Sequence, residues 1–520
     1  MRASLAVSAR RVPESRKKGG ALNQDEVPHR VTIVGGGFTG ASTAVQLVRA
    51  STVPLAITVV EPRERIGPGL AYSANDPDHR LNGPTWSHSI VADDAGHFTR
   101  WCEANSIFVR DPEALAADGN AFVRRADYGD YLSDTLRAHE QWPATGSTIA
   151  HLRDRAVAAV ASRDAMTIRT AGGRTLESAM LVVATGNPLP RLQAPLSRSL
   201  AAHPSLVEDP LQPGRLAQVD PRARVLVVGS GLTALDIVST LVRAGHRGDV
   251  VVVSRRGLRP RPQPPTAAPP GVAAPAVAAA QAPLERIMGA VPGFLLHDAP
   301  PTLRGWVRAL RARIREVEAR GESWHKGFDE LRDVVWRAWP LLPAAEKRRF
   351  LRTMRTWYDV HRFRAPPQND ALVRDAEARG RVAFRAARLR AVEPVAGSSA
   401  LRVRFAGRDG AGERTETFDA LVNCTGLDAV AGLRANPFLA SLVDDGRLRV
   451  DDAGIGFAVD ANCCAIGADA RACPALRVLG PPTAGTFGDP LGVMFIAAQI
   501  WRMLPDALAF LAQARPGPSR

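Results

Sequence analysis

Apolar and polar positions near the start of the chain follow the order strand, tight turn, helix and strand. A β-branched run, VTIVGGGFTG at 31–40, ends in glycines and leads into a helical apolar spacing through Val45 and Leu47. The next apolar run, LAITVVEP at 55–62, ends in an acidic residue. Short β-branched runs bounded by turn residues are typical of buried strands. The pattern predicts a β-α-β unit here.

A second unit of the same kind lies at 222–256. ARVLVVGSGLTALD leads into an apolar helix, and VVVVSRR is the strand that follows. Two further apolar strands end in Thr-Gly, within MLVVATGNPLP at 180–190 and DALVNCTGLD at 419–428. The chain therefore carries two openings of a nucleotide-binding fold, each followed far downstream by a strand that ends in Thr-Gly.

The remaining pattern divides the chain into a linker, a helical region and a return to strands. Residues 259–283 are rich in proline and alanine, a composition that forms neither a helix nor a central strand. Residues 284–380 show helical spacing with many arginines and five tryptophans. We interpret this region as a helical insert whose tryptophans form a core rather than a binding site. Strand patterns return at 382–405, and ALRVLG at 475–480 precedes a glycine-rich turn and a helix from about 491 to 512.

Three glycines in the first turn form G-x-G-x-x-G at Gly35, Gly37 and Gly40. The first permits the tight turn, the second lets the backbone approach a pyrophosphate, and the third permits close packing of helix on strand. The N-terminus of the following helix adds free N–H donors and a partial positive charge. Glu61 ends the next strand, where its carboxylate can accept hydrogen bonds from ribose hydroxyls. This combination predicts a site for FAD or NAD.

A second glycine motif, G-S-G at 229–231 with Ala234 in the third position, begins the second unit. Its next strand ends in S-R-R at 254–256, without an acidic residue. An acid there would repel the 2′-phosphate of NADP, whereas arginine binds it through charge-assisted hydrogen bonds. The second site is therefore predicted to bind NADPH. The alternative is that both arginines form a solvated face of an arginine-rich protein.

Two dinucleotide units in one chain imply transfer of electrons between two cofactors. The simplest pair is a reduced nicotinamide and a flavin, with hydride passing from nicotinamide C4 to flavin N5 while the protein supplies orientation and electrostatics. No CxxC occurs among the five cysteines, so a disulfide relay is not predicted. Electrons are expected to leave the flavin for oxygen or for a bound substrate.

Composition narrows the class of protein further. The chain has 520 residues and a formal net charge of +15, and only four of its 67 basic residues are lysines. Because the arginines are spread along the whole chain, we do not predict nucleic-acid binding, although the excess charge favours anionic ligands. The five scattered cysteines argue against a disulfide scaffold or a zinc ribbon, and the adjacent Cys463 and Cys464 are either redox-active or simply buried.

Targeting and membrane signals are not evident in the sequence. Residues 1–28 are basic and lack an apolar segment, which predicts a disordered tail rather than a signal peptide. An uninterrupted run of about 18 apolar residues does not occur, so a membrane span is not predicted. The expected location is the cytoplasm.

Together the motifs resemble the flavoproteins with two dinucleotide-binding domains, a superfamily that includes glutathione reductase and the flavin-dependent monooxygenases. More narrowly, the chain resembles the bacterial FAD-NAD(P)-binding proteins, which are related to the N-hydroxylating monooxygenases. The resemblance extends from about residue 30 to 505 and rests on VTIVGGGFTG, GPGLAYSANDPDHRLNGP, FVRRADYGDYL, VVATGNP, VLVVGSGLTALD, SRRG, WYDVHRFRAPP, NCTG and the turn after LRVLG. It implies an α/β fold with two Rossmann-type dinucleotide-binding domains, arranged as in glutathione reductase, and a helical insert.

The resemblance also assigns roles to particular segments. G-P-G-L-A-Y at 67–72 and Leu81-Asn82 lie beside the flavin in similar proteins, which implies that Asn82 contacts the isoalloxazine ring. The alternative is that Asn82 caps a turn. The two Thr-Gly strands resemble the segments that cross between the domains. The stretch from Gly480 to Gly485 is similar to a C-terminal flavin motif in which a helix N-terminus stabilises negative charge on reduced flavin, but it begins with Gly-Pro where the superfamily often has Gly-Asp.

Two groups of residues are predicted to bind the cofactors. For FAD they are Gly35, Gly37, Phe38, Thr39, Gly40, Glu61, Pro62, Leu81, Asn82, Thr185, Gly186, Gly480, Thr483 and Gly485. For NADPH they are Gly229, Gly231, Leu232, Thr233, Ala234, Ser254, Arg255 and Arg256. Catalytic residues are not assigned, and metal ligands are not predicted. The FAD-binding domain is expected at 29–215 and 430–512, and the NADP-binding domain at 222–258 and 382–428.

The leading hypothesis is an NADPH-dependent FAD monooxygenase that transfers one atom of molecular oxygen to a small molecule such as an amine or amino acid. It rests on the paired glycine motifs, the resemblance to N-hydroxylases and the missing CxxC. In the helical insert, where substrate specificity is expected, His361, Arg362 and Arg364 form either an anion-binding cluster or a set of surface ion pairs. One alternative is a reductase or dehydrogenase without oxygen insertion, and another is a cofactor-binding regulatory protein without turnover.

Overall fold

The computed structural model of the chain confirms the predicted fold class, an α/β protein with two dinucleotide-binding sheets. The structure describes residues 27–74, 76–161, 165–187, 192, 194–196, 200, 202–212, 214–264, 283–297, 300–407, 412–426, 435–488 and 491–514. Nearly all of the predicted N-terminal tail, and residues 265–282 of the predicted linker, lie outside the described residues.

Strands in the described residues belong to two large sheets and one small sheet. They are β1 His29–Val34, β2 Leu55–Val60, β3 Gln141–Trp142, β4 Ser147–Leu152, β5 Ala156–Ala161, β6 Met166–Thr170, β7 Thr175–Ser178, β8 Met180–Val183, β9 Leu206–Val207, β10 Val225–Val228, β11 Val250–Ser254, β12 Val382–Pro394, β13 Leu401–Gly407, β14 Glu413–Phe418, β15 Ala420–Asn423, β16 Cys464–Ile466 and β17 Ala472–Val478.

Helices either cover these sheets or form the insert between β11 and β12. They are α1 Phe38–Ala50, α2 His97–Ala104, α3 Ile107–Arg110, α4 Arg125–Arg137, α5 Leu232–Arg243, α6 Pro283–Ile287, α7 Leu303–Ala319, α8 Trp324–Arg332, α9 Val335–Ala338, α10 Ala344–Thr353, α11 Arg355–Arg362, α12 Pro367–Ala378, α13 Pro437–Asp444, α14 Ala484–Phe487 and α15 Val493–Gln513.

The first sheet has the strand order β16-β17-β8-β1-β2-β4-β3, and the five strands from β17 to β4 run parallel. Val31 and Ile33 of β1 are fully buried. Helices α1 and α15 pack together on this sheet, and the small antiparallel sheet β5-β6-β7 contacts β1, where the hydroxyls of Thr32 and Ser178 lie 2.5 Å apart. Continuous apolar strands are expected when a parallel sheet is covered on both faces.

The second sheet has the order β14-β13-β12-β11-β10-β15-β9. Its strands β9, β10, β11 and β15 are parallel, and β12 continues from a parallel pairing with β11 into an antiparallel pairing with β13. Strand β9 lies in the range that the sequence analysis assigns to the FAD-binding domain. Its two apolar residues pair with Leu421 and Val422, because β15 would otherwise present an unpaired edge.

The helical insert has its own small core. Trp306 and Trp339 are buried there, together with Leu295 and Leu331. Trp324 and Trp336 are half-buried, whereas Trp357 is exposed. The tryptophans thus serve mainly in packing.

One helix of the described residues, α15, is long and apolar enough to cross a membrane by length and composition. Just over half of its apolar window, 56%, is buried inside the protein. Ile500, Ala507 and Leu511 are fully buried in the core of the first sheet. A core helix of this kind passes the same length test as a membrane span, and here the burial accounts for its apolar residues.

Candidate functional site

The carboxyl ends of four parallel strands meet at one edge of the first sheet. Val34 of β1 is in register with Val60 of β2 and Val183 of β8, and Val183 is in register with Val478 of β17. The segments that follow these strands are therefore neighbours, although they lie up to 445 positions apart in the sequence. In open α/β sheets, ligands bind outside the carboxyl ends of the strands. The edge brings together most of the residues predicted to bind FAD, from Gly35 to Gly40, Glu61, Thr185, Gly186 and Gly480.

The first glycine turn shows the steric roles predicted for its three glycines. Gly35 has a positive φ of 107°, and a Cβ atom there would collide with the carbonyl oxygen of Ala184. A Cβ atom on Gly40 would collide with the carbonyl oxygen of Gly35. A Cβ atom on Gly37 would meet only the Cα of Gly69, at 3.6 Å. The protein itself therefore requires Gly35 and Gly40, whereas the space at Gly37 remains open to a ligand.

Helix α1 begins at Phe38 with its N-terminus open. Gly37 is the N-cap, no side chain caps the helix, and the first turn contains no acidic residue. The first N–H groups of a helix lack intrahelical acceptors, and the helix dipole makes this end partially positive. The turn thus presents several donors to an anion such as a pyrophosphate.

Glu61 lies beside the glycine turn and is only 4% exposed. Its Oε2 accepts a hydrogen bond from the backbone N–H of Gly36 at 2.8 Å, and its Oε1 accepts one from the backbone N–H of Arg63 at 3.0 Å. Nη1 of Arg63 also donates to Oε1, at 3.1 Å. A carboxylate oxygen has two lone pairs, so the acceptor capacity that remains for a sugar hydroxyl is on Oε2. Pro62, the next predicted residue, is exposed.

A loop lies over the glycine turn. The N–H of Gly67 donates to the carbonyl oxygen of Gly36 at 2.7 Å. Gly69 has φ +54°, and a Cβ atom there would stand 2.9 Å from the Cα of Gly37. The G-P-G-L-A-Y motif at 67–72 is thus glycine-rich because two backbone segments approach each other closely.

Two of the residues predicted to bind FAD have a buried side-chain polar atom without a hydrogen-bond partner among the described residues. They are Asn82, through its Oδ1, and Thr185, through its Oγ1. Buried polar atoms are normally paired, so an unpaired one marks a place where a ligand or water completes the structure. The backbone carbonyl of Asn82 accepts a hydrogen bond from Nε2 of Gln263 at 2.5 Å. Neighbouring Leu81 is 2% exposed. The open glycine turn and these two atoms fit a large polar cofactor such as FAD.

The turn after β17 is held by a residue that the sequence analysis did not identify. Gln499 of α15 is buried, and its Oε1 accepts from the N–H of Gly480 at 2.8 Å while its Nε2 donates to Oγ1 of Thr483 at 2.9 Å. One indication of this role was present in the sequence, because Gln499 is a polar residue within the apolar run VMFIAAQIW. Helix α14 has only four residues, so the turn itself, rather than a long helix dipole, faces Thr39 at this edge.

Gly485 contacts a second residue that the sequence analysis missed. A Cβ atom there would collide with the carboxylate of Asp451. Burial raises the pKa of this carboxyl, while its hydrogen bonds from the N–H groups of Ala453, Gly454 and Ile455 oppose the shift. Gly485 is therefore required for packing whether or not a cofactor contacts it.

The second glycine turn repeats the geometry of the first. Gly229 has φ +110°, and a Cβ atom there would collide with the carbonyl oxygen of Cys424, at the end of the neighbouring strand β15. Gly231 has no atom within 4 Å of its Cβ direction. It caps α5, which has neither a side-chain cap nor an acidic residue in its first turn. Leu232 and Thr233 are half-buried and Ala234 is fully buried. As in the first turn, the groups available to a ligand are therefore the backbone N–H groups at the start of the helix.

The S-R-R segment at 254–256 follows β11 beside this turn. The Ser254 hydroxyl accepts from the N–H of Gly257 at 3.1 Å. Arg255 is exposed and has no ion-pair or hydrogen-bond partner among the described residues. Nη1 of Arg256 donates to the carbonyl oxygen of Thr353 at 3.2 Å. Of the two predicted phosphate ligands, Arg255 is the more available.

The cluster of His361, Arg362 and Arg364 is not a surface feature as a whole. Arg364 is 2% exposed and forms a two-pronged ion pair with Asp329, at 3.1 Å for Nη1 and 2.5 Å for Nη2. Arg362 donates to the carbonyl oxygen of Leu491 at 2.6 Å. The sequence left two interpretations of this cluster open, an anion-binding site or a set of surface ion pairs. The structure instead buries Arg364 with an internal partner.

A polar contact joins helix α4, which packs in the core of the first sheet, to helices α5 and α12, which pack in the core of the second sheet. Nη2 of Arg125, at the start of α4, lies 2.6 Å from Oδ2 of Asp236 on α5. Asn369 on α12 donates to the carbonyl oxygen of Asp78 at 3.0 Å and to Oδ1 of Asp236 at 3.3 Å. We call Arg125, Asp236 and Asn369 the interdomain latch. Its members lie more than 100 positions apart, so local sequence patterns do not reveal it.

Asp236, which is 1% exposed, is the buried charge of the interdomain latch. Burial raises its pKa, and the positive charge of Arg125 opposes this shift. Burial also raises the pKa of nearby Asp78 to about 6, although the guanidinium of Arg243 lies only 2.7 Å away. The contact between the domains thus depends on pairing carboxylates that water does not solvate well.

The adjacent cysteines are free and buried thiols rather than a redox pair. Burial raises the pKa of Cys463 to about 11 and that of Cys464 to about 12. Because the thiolate is the reactive form, neither residue is a nucleophile near neutral pH. Among the described residues, no group of three His, Cys, Asp or Glu side chains is arranged to hold a metal ion.

Two family models match the sequence. The model described as FAD-NAD(P)-binding matches residues 32–188, and the model described as L-lysine 6-monooxygenase/L-ornithine 5-monooxygenase matches residues 114–265. The first match contains the first glycine turn and Thr185, and the second contains the second glycine turn and Arg255. Comparison with curated protein sequences gives no match.

Several solved structures share the fold. Ornithine N-hydroxylase of Kutzneria sp. 744, with reduced FAD, NADP+ and L-ornithine, has a TM-score of 0.59 and 17% identity over 94% of this chain and 99% of that chain. L-lysine 6-monooxygenase from Pseudomonas syringae has a TM-score of 0.58 and 16% identity over 93% of this chain and 99% of that chain. The FAD-bound cadaverine monooxygenase of the desferrioxamine pathway from Erwinia amylovora has a TM-score of 0.60 and 12% identity over 95% of this chain and 98% of that chain.

These comparisons confirm the resemblance inferred from the motifs, and the family model that matches the first glycine turn is the one described as FAD-NAD(P)-binding. Identities this low establish the fold, whereas the family models add the sequence match over the two glycine turns. The chain is thus similar to the FAD-NAD(P)-binding and lysine/ornithine monooxygenase families over residues 32–265, and it has the two-domain fold of the N-hydroxylating flavin monooxygenases.

Proposed function

We propose that this protein is an FAD-dependent, NADPH-consuming monooxygenase that N-hydroxylates a small molecule with a primary amine. The observation that carries the proposal is the pair of open glycine turns in one chain, at Gly37 and Gly231, on domains joined by direct polar contacts. The match to the L-lysine 6-monooxygenase/L-ornithine 5-monooxygenase model, which spans the boundary between these domains, supports the same activity.

The proposed FAD site uses the carboxyl edge of the first sheet. The N–H groups at the start of α1 would bind the pyrophosphate, and Glu61 would accept from the ribose. The unpaired atoms of Asn82 and Thr185 would then gain a partner. When bound, FAD supplies reducing electrons from NADPH to molecular oxygen and thereby activates it. The loop at 67–72 lies against the turn at Gly37 and would limit the access of water there, which matters because activated oxygen is otherwise lost to solvent as peroxide.

The proposed substrate class follows from a chemical group that the compounds named for the similar structures have in common. Ornithine, lysine and cadaverine, the compounds named for the similar structures, all carry a terminal primary amine. An amine attacks activated oxygen only through its neutral form, so the protein must favour the free base at the site. We expect the amine to approach at the half-buried polar residues Asn82 and Gln263, where a segment of the predicted linker contacts the segment predicted to lie beside the flavin.

The proposed activity predicts a yellow protein that oxidises NADPH faster than NADH and consumes oxygen when an amine is present. The measurement is oxygen uptake against peroxide release over a panel of diamines and basic amino acids, with mass spectrometry of the hydroxylamine product. A colourless but fully folded protein would contradict the proposal. Undiminished anaerobic turnover would instead identify a reductase, and full FAD occupancy without NADPH oxidation would identify a non-catalytic binding protein.

Replacing Arg255 by alanine should raise the KM for NADPH about tenfold or more and leave the KM for NADH nearly unchanged. Each charge-assisted hydrogen bond contributes about 1.5–3 kcal/mol, and NADH lacks the 2′-phosphate that would accept it. Arg256→Ala should have a smaller effect, because Arg256 also binds the carbonyl oxygen of Thr353. Arg388→Ala, on an exposed arginine of β12, is the matched control. Equal changes for both coenzymes would rule out the phosphate assignment.

A further inference from the structure

A groove lined by arginines lies on the helical insert, outside both sets of predicted cofactor-binding residues. It has a volume of about 460 Å³. Its arginines are Arg304, Arg308, Arg311 and Arg315 of α7 and Arg349 of α10. We call this the arginine groove. Its volume is in the range of small-molecule sites, which run from about 300 to 1,000 Å³.

The four arginines of α7 lie on one face of the helix. They recur at intervals of four, three and four residues, which is the spacing of a single helical stripe. The stripe is about 16 Å long, at about 1.5 Å of rise per residue. The buried residues of the same helix, Leu303, Trp306 and Val317, pack into the protein. The stripe therefore presents its guanidinium groups to the groove.

These four arginines have no acidic partner among the described residues. Elsewhere on the insert, basic residues pair with an acid one helical turn away, as Arg313 does with Glu316 at 3.2 Å and Arg374 with Asp370 at 2.6 Å. Like charges spaced four residues apart destabilise a helix. An unpaired stripe therefore costs the free protein stability, and an anion bound in the groove would remove that cost.

The other groups in the groove define what would fit. Glu346 lies beside the groove, where it accepts from the N–H of Leu303 at 2.7 Å and lies 3.8 Å from Arg349. Val307 and Met354 add an apolar part to the lining. Thr353 also lines the groove and binds Arg256, so the groove borders the segment predicted to bind the NADP phosphate.

We propose that the arginine groove binds a nucleotide-sized anion with several phosphate groups, as a site separate from that of NADPH. Five guanidinium groups around a small volume need a ligand of high charge density. Phosphate groups supply this most compactly, because each offers several strong acceptor oxygens and guanidinium groups match them two bonds at a time. The apolar part of the lining would hold the organic portion of the ligand.

The test is calorimetric titration of the FAD-loaded protein with inorganic tripolyphosphate, with the NADPH site saturated by NADP+. Wild-type protein should bind in roughly physiological salt, and Arg308→Gln with Arg311→Gln should weaken binding at least tenfold. The control removes the same charge from the second sheet by Arg388→Gln with Arg402→Gln, both exposed and unpaired among the described residues. It should change the affinity by less than about twofold. The groove variant should keep its Tm, since it relieves repulsion between like charges.

Three results would overturn the proposal. They are no binding by the NADP+-saturated wild-type protein, an equal loss of affinity in the control variant, and tighter binding of a ten-residue oligoglutamate peptide than of tripolyphosphate. The last result would identify the groove as a surface for an acidic protein. Because binding is measured without turnover, a failure here is distinct from a failure of the proposed activity.

Discussion

The Gly37→Ala variant should fold normally and purify without FAD. A methyl group on Gly37 would have ordinary contact with the protein, since its one close neighbour is the Cα of Gly69 at 3.6 Å. The same methyl group would occupy the space where the backbone approaches a pyrophosphate. Loss of two charge-assisted hydrogen bonds corresponds to a weakening of FAD binding of at least about 100-fold. The measurements are the flavin absorbance of the purified protein and the Tm of the apoprotein.

Gly40→Ala is the informative comparison for this prediction. A Cβ atom on Gly40 would collide with the backbone carbonyl of Gly35, so the turn itself must move. Strain of this kind typically costs about 1–3 kcal/mol, and the Tm of the apoprotein should fall. Gly37→Ala with full FAD content would show that the cofactor does not approach this turn. A Tm as low as that of Gly40→Ala would show instead that Gly37 is required for packing within the protein.

Replacing Arg125 of the interdomain latch by methionine should lower the free energy of unfolding by about 3–5 kcal/mol, because it leaves Asp236 as an uncompensated buried charge. Adding Asp236→Leu should restore part of this loss, since the buried charge is then removed as well. The Arg137→Met control cuts an exposed ion pair with Asp134 on the same helix and should cost only about 0–1 kcal/mol. Chemical denaturation of the four proteins measures the effect.

The deficit of Arg125→Met should also depend on pH. Burial raises the pKa of Asp236, so the stability that its neutral form contributes is lost as pH rises through that pKa. Without Arg125, the charged form is less favourable still, and the variant should be closer to wild-type at pH 5 than at pH 8. A constant deficit across this range would show that the arginine acts through packing alone.

The same variant tests whether the interdomain latch positions the two cofactors. Asp236 is on the helix that follows the second glycine turn, and Arg125 is on a helix of the FAD domain. A displacement of about 1 Å between reacting groups can slow a reaction about 100-fold. Stopped-flow reduction by NADPH should therefore slow far more than reoxidation of chemically reduced enzyme by oxygen. Equal effects on both half-reactions would indicate general destabilisation.

The two glycine turns and the strands that precede them could be predicted from local sequence because their causes are local. Gly35 and Gly229 both have positive φ, and both lie where a side chain would collide with the neighbouring strand. The apolar runs around 31–34 and 225–228 form the buried strands β1 and β10. A collision or a buried strand leaves a signal within a few residues, and the two units could be recognised for that reason.

Other features depend on contacts between distant segments. Gln499 holds the turn at Gly480, and Asp451 packs on Gly485. The hydrogen bond from Gln263 to Asn82 comes from the end of a segment that looked like a plain linker. A single glutamine or aspartate in a sequence has many possible roles. Its role follows only from which segments the packing brings within hydrogen-bond distance.

Local sequence was enough to predict the two β-α-β units, their glycine turns, and the two arginines that follow the second unit. These features arise from backbone sterics and from the periodicity of apolar residues, which act over short stretches of chain. The folded protein was needed to show that the ends of four strands meet at one edge, that Arg125 contacts Asp236, and that four arginines of α7 share a groove. Those arrangements depend on strand register and on the burial of charge between distant segments, which no short stretch of chain encodes.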